Sequence, residues 1–200
     1  MTRKFTICRL RQLSGFTAAM LIAAVVHAQQ AQISPLSPVS PVSEEAVEAA
    51  YLHKFPGFVE WPPEAFKTPA SPIVIGLVDA PKVLDELTKL ARGRLVLNRP
   101  VEARAIEMRD TRELPPDLHV LFIGRGSKAD VKQLIEEARR AHVLVVTNVP
   151  DGLELGGVLD FVRIDGRVRF AASLAAANKT GLKLSSKLLS VASRVVEETP

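Results

Sequence analysis

Gly156 to Ala192, GGVLDFVRIDGRVRFAASLAAANKTGLKLSSKLLSVA, decides how the chain folds at its carboxyl end. Its strand pattern reverses at Ile164-Asp165-Gly166-Arg167, where Asp-Gly supplies the positive φ that a tight hairpin turn of the right twist requires. Val158 to Ile164 is therefore expected to pair with Arg167 to Ala172. Beyond the hairpin, Ser173 can cap a short helix that Gly181 ends. Ser185 can open a last helix with Leu188, Leu189, Ala192 and Val195 as its apolar stripe. Nothing in the run has the residue types of catalytic machinery.

Outward from this run, strands and helices alternate. Pro72 to Asp79 (PIVIGLVD) is a continuous apolar run, as in a strand buried on both faces, and Pro81 to Ala91 follows with helical spacing at Val83, Leu84, Leu87 and Leu90. A second unit comprises a strand at Val120 to Ile123 and a helix with Val131, Leu134, Ile135 and Ala138 inward. In it Ser127 serves as cap with Asp130 three positions on, and a strand from His142 to Thr147 follows. Leu95 to Leu97 and Val101 to Ala105 add a strand or two between the units. The pattern predicts an α/β fold: a three-layer α/β/α sandwich on a mostly parallel sheet, with an antiparallel C-terminal hairpin.

Glu44 to Trp61 places Val47, Tyr51, Phe55, Phe58 and Trp61 along one helical face, with Pro56 expected to end the helix near Phe55. Aromatic stripes of this spacing usually fill a core, and part of this one is also a candidate partner surface.

The amino terminus reads as a secretory leader. Arg3, Lys4, Arg9 and Arg11 precede a 14-residue apolar run, Leu13 to Val26, and Val26-His27-Ala28 suits signal peptidase. A membrane anchor is the competing reading, but at about 1.5 Å per residue a span needs roughly 20 residues. Residues 1–28 are thus expected to be removed after Ala28, 29–43 (QQAQISPLSPVSPVS) to form an extended Ser/Pro linker, and 44–198 to form one domain. The four basic residues of the leader account for the formal net charge of +4. Without them the chain is neutral, which removes the electrostatic footprint of a nucleic-acid binder. The one cysteine, Cys8, leaves with the leader, so no disulfide is expected.

Chemistry-bearing patterns are sparse. Gly124-Arg125-Gly126-Ser127-Lys128-Ala129 has the form of a dinucleotide fingerprint, but the following strand ends in Thr147-Asn148 where an acidic residue would bind a ribose. His53, His119 and His142 lie far apart, and no G-x-S-x-G elbow occurs. No catalytic residue, metal ligand or cofactor is therefore assigned. Two recognition candidates remain. Lys183, Ser185, Ser186 and Lys187 combine a helix start, two hydroxyls and two lysines, which favours a small anionic ligand, although a plain Ser-capped helix start looks the same. Arg163, Arg167 and Arg169 alternate across the hairpin as a basic stripe, either a docking surface or an edge kept from aggregating.

These residues resemble the YfiR family of exported bacterial proteins. Its early element YLxxFxxFVEWP appears here as Tyr51-Leu52, Phe55 and Phe58-Val59-Glu60-Trp61-Pro62. Its late element appears as Gly156-Gly157, Phe161-Val162, Asp165 to Phe170, Gly181-Leu182-Lys183 and Ser185 to Leu189. The resemblance implies a periplasmic, non-enzymatic repressor that binds the periplasmic part of an inner-membrane diguanylate cyclase or sensor kinase. Cyclic di-GMP and biofilm formation would then be its output, and a homodimer is compatible with it. Partner contacts are expected from Phe161, Arg163, Arg167 and Arg169, with Tyr51 and Phe58 from the aromatic segment. The alternative is a periplasmic module for sensing or binding a small anion. The chain departs from the family in carrying Ala171, Ala172 and Ser173 after Phe170, in Pro56, and in lacking the cysteines of disulfide-bearing members.

Overall fold

An unbroken apolar strand is stable only when both faces are covered, and the strand Ile73–Val78 (β2), buried at all six positions, is the centre of such an arrangement. The computed structural model describes residues 42–107, 114–125 and 130–197. The leader, nearly all of the linker and the Gly126 to Ala129 part of the fingerprint lie outside the described residues.

The chain enters through helix α1 (Glu44–Lys54), where Ser43 Oγ accepts from Ala46 N, and a 3-10 turn (Phe55–Phe58) follows. Strand β1 (Val59–Glu60) precedes β2, then come α2 (Pro81–Ala91), β3 (Leu95–Val96), β4 (Arg99–Ala105), β5 (Val120–Ile123), α3 (Val131–Arg140) and β6 (Leu144–Thr147). The hairpin is β7 (Leu159–Ile164) and β8 (Arg167–Ser173), followed by α4 (Leu174–Thr180), β9 (Lys183–Leu184), α5 (Ser186–Val191) and β10 (Arg194–Val196).

One eight-stranded sheet runs β10-β8-β7-β6-β5-β2-β4-β3. Strands β4, β2, β5, β6 and β7 are mutually parallel, β8 runs against β7, and β3 runs against β4. Alternate side chains fill two cores. Ile73, Ile75, Leu77, Val120, Phe122, Leu144 and Val146 pack toward Leu52 of α1, Leu87 of α2 and Ala177 of α4. Val74, Val78, Leu121, Ile123 and Val145 pack toward Leu134, Ile135 and Ala138 of α3. Helices on both faces of a mixed sheet make the three-layer α/β sandwich that the alternating pattern predicts.

Several local expectations hold, and three are corrected. The hairpin turn has positive φ at both Asp165 (51°) and Gly166 (72°), Ser173 caps α4, and Gly181 ends it at φ 78°. The cap of α3 is Asp130, whose side chain accepts from Gln133 N, and the expected cap Ser127 lies outside the described residues. The terminal apolar stripe stops within α5. Ala192 is extended, and Val195 belongs to β10, which pairs in parallel with β8 at Ala171 to Ser173. In α1 the buried face is Glu48, Ala49, Leu52 and His53, rotated from the expected Val47–Tyr51 line.

Candidate functional site

Strand pairing fixes what the hairpin offers. Residues directly opposite in an antiparallel pair share a face. Arg163 is opposite Val168, while Val162 is opposite Arg169 and Ile164 opposite Arg167. Arg167 and Arg169 therefore flank Val162 and Ile164 on one face, and Arg163 lies on the other. The single basic stripe expected from the sequence is corrected to two faces, because alternation along one strand is out of phase with its partner across this turn.

Among the described residues, the outer half of the hairpin has no neighbouring strand. Strand β6 reaches β7 only at Leu159 and Asp160, and β10 reaches β8 only from Ala171 onward. Beyond those rungs a two-stranded ribbon projects from the sheet, with Arg163, Ile164, Arg167 and Arg169 exposed and Ile164 45% accessible. Beside its turn, a hollow of about 470 Å³ is lined by Val42, Glu44, Val47 and hairpin residues Arg163 and Gly166 to Arg169. Glu44 Oε2 forms an ion pair with Arg163 Nη1 at 3.0 Å there.

The aromatic candidates are placed differently. Phe161 is 5% exposed and lies 5.9 Å from both Phe55 and Phe122, ring centre to ring centre. Tyr51 is half-buried against Phe55, Phe161 and Phe170 at 5.5–5.9 Å. Phe58 is half-buried, and its carbonyl accepts from Ser185 N at 2.9 Å. These rings fasten α1 and the hairpin to the sheet, and Phe161 has no surface to give a docking partner in this conformation.

At the anion candidate, Ser185 Oγ caps the six-residue α5 by accepting from Leu188 N, and Lys183 Nζ lies 3.8 Å from Glu60. Ser186 and Lys187 are exposed. Two of the four groups are thus engaged within the protein, and the pairing of β1 with β9 accounts for the position of Lys183.

Two carboxyls that sequence reasoning did not single out are buried. Glu48 is 3% exposed, and burial, reinforced by Glu44 and opposed by Arg125, pushes it up to about 7. Asp160 is 9% exposed and is raised to about 6 by burial, against the pull of its 2.5 Å hydrogen bond from Thr147 Oγ1. In α1 the signal for Glu48 was its place four residues before Leu52 and seven before Phe55, on the stripe that faces the core. Among the described residues no group of three or more His, Cys, Asp or Glu is placed to hold a metal, and no helix is long and apolar enough to cross a membrane.

Residues 45–193 match the profile of a family described as YfiR/HmsC-like. No protein with a curated description matches the chain. A solved structure, a conserved domain protein from Vibrio cholerae O1 biovar El Tor str. N16961, superposes with a TM-score of 0.51 at 10% identity. The match covers 76% of this chain and 60% of that one, so the chain spans about three fifths of the neighbour's length and shares its fold.

Proposed function

The chain belongs to the YfiR/HmsC-like family, and from that membership we propose that it is a periplasmic, non-catalytic regulator that docks on the extracytoplasmic part of an inner-membrane signalling protein. The partner we favour is a diguanylate cyclase held inactive by the contact, with cyclic di-GMP level and biofilm formation as the output; a sensor kinase is the second choice. Control of this kind needs only a differential affinity for two states of the partner.

The projecting ribbon carries this reading. A two-stranded ribbon without flanking strands is costly to keep in water, since its edges present unpaired backbone groups and Ile164 presents apolar surface. A partner would cover both. Arg167 and Arg169, which flank Ile164 on one face, would set charge and register.

The experiment places a photo-crosslinking residue at Ile164 in the exported protein, with Lys89 on α2 as the distant control. Capture at 164 and not at 89 of an inner-membrane protein with a cyclase or kinase output domain is the expected result. Arg167→Glu combined with Arg169→Glu should abolish that capture and change cellular cyclic di-GMP. If the doubly charge-reversed protein is captured equally and the nucleotide level stays constant, the hairpin is not the docking surface.

A further inference from the structure

The exits of β2 and β5 diverge. Val78 leads into α2 on one face of the sheet, and Ile123 leads toward α3 on the other. Such a reversal leaves a crevice outside the carboxyl ends of parallel strands, the place where doubly wound sheets take their ligands. Here the crevice holds about 280 Å³ and is lined by Glu48, Asp79, Lys82, Phe122, Arg125 and Asn148, among others. Its floor is tight: a Cβ on Gly124 would lie 2.6 Å from the Asp79 carbonyl oxygen.

Glu48 is the group that lacks a counterpart. One carboxylate oxygen accepts from Asn148 Nδ2, and the other has no hydrogen-bond partner among the described residues. Asn148 is held for this task, because its Oδ1 accepts from Arg125 Nε at 3.2 Å and Nη2 at 2.9 Å. Opposite charge gathers at the rim. Lys82 Nζ stands 3.7 Å from Glu45, Arg125 is exposed, and α2 begins at Pro81 behind Ala80, which offers no side-chain acceptor to the first amides.

A lone cation would meet Lys82, Arg125 and the positive end of α2, and a lone anion would meet Glu48, Glu45 and Asp79. A molecule bearing both charges satisfies both sets, with Phe122 and Val83 against its apolar part. We propose that this crevice binds a small zwitterion, its amine held by Glu48 and its acidic group by Lys82 and Arg125. The same Arg125 lies 3.9 Å from Glu44 Oε1, and Glu44 Oε2 holds Arg163 of the hairpin. A ligand acid that draws Arg125 away changes the share of Glu44 left to the hairpin, so the crevice is placed to act as an input. That coupling rests on the docking role of the hairpin; the binding does not.

Calorimetry on the exported protein with glycine, β-alanine and 4-aminobutyrate, and with methylamine and acetate as single-charge controls, tests it. At least one zwitterion should bind with Kd at or below about 1 mM, and both controls at least tenfold more weakly. Glu48→Gln, which keeps shape and hydrogen bonding but removes the charge, should weaken that binding at least tenfold. Absence of heat from all three zwitterions, equal binding of either control, or unchanged binding by Glu48→Gln overturns the site. Should Glu48→Gln not fold, the exposed pair Lys82→Ala with Arg125→Ala decides, and undiminished binding there overturns it equally. Partner capture at Ile164 that ignores a bound zwitterion removes the coupling alone.

Discussion

Glu44 Oε2 and Arg163 Nη1 stand 3.0 Å apart, joining the first turn of α1 to the hairpin one rung from its turn. Because Arg163 faces away from Arg167 and Arg169, this pair positions the ribbon without occupying its docking face. The Arg163 side chain is 53% exposed, so the pair contributes little to stability. A double-mutant cycle of Glu44→Ala and Arg163→Ala should give a coupling of about 0.5 kcal/mol in urea unfolding, shrinking as salt rises. A coupling several times larger would mean that the pair is desolvated in solution.

Core and docking roles separate within one strand. Phe161→Ala removes a ring packed among Phe55, Phe122 and Phe170 and should cost about 3–4 kcal/mol. Ile164→Ser, three residues on and exposed, should change stability by less than about 0.5 kcal/mol. The informative measurement is affinity pull-down of the partner by the stable Ile164→Ser protein, where a loss assigns the contact to the ribbon face. Unaltered pull-down by that protein would count against the docking proposal.

The floor of the crevice gives a third test. A methyl group on Gly124 meets backbone at Asp79 O, which no rotamer change can relieve. Gly124→Ala should therefore lower stability by about 2 kcal/mol, the range of overpacking, with the denaturant midpoint falling at constant slope. Gly93→Ala has open space around it but a φ of 69°, so its smaller cost of about 1 kcal/mol isolates conformational strain from collision.

The elements that could be read from the sequence were those fixed by local chemistry. Asp165-Gly166 dictates its turn, Pro81 opens α2 where helical spacing begins, and Ser173 and Gly181 bracket α4. What could not be read depends on distant contacts. Arg194 to Val196 has no strand signature of its own and becomes β10 because β8 leaves an edge there. The faces of the three arginines follow from hairpin register, which places Arg163 opposite Val168. Glu48 was overlooked because a glutamate in a helix ordinarily points to water, and only the packing of α1 over β5 and β6 shows it buried.

Glu48 also sets a pH dependence of known sign. Its folded-state pKa of about 7 lies above the ordinary carboxyl value of 4.5, so the folded protein holds this proton more tightly than the unfolded chain. The stabilisation this gives is complete below about pH 4.5 and is lost as pH rises through about 7, after which the charged form carries a constant penalty. Asp160, raised to about 6, acts in the same direction, whereas His119, lowered chiefly by burial, acts in the opposite one. Comparing wild type with Glu48→Gln cancels both. The variant, uncharged at every pH, should gain relative stability between about pH 5 and pH 8 by on the order of 1–3 kcal/mol. A difference that stays flat across this range in urea unfolding would mean that Glu48 is hydrated in solution. The zwitterion should shift the curve, since an amine beside Glu48 favours the carboxylate and brings its titration back toward the ordinary range.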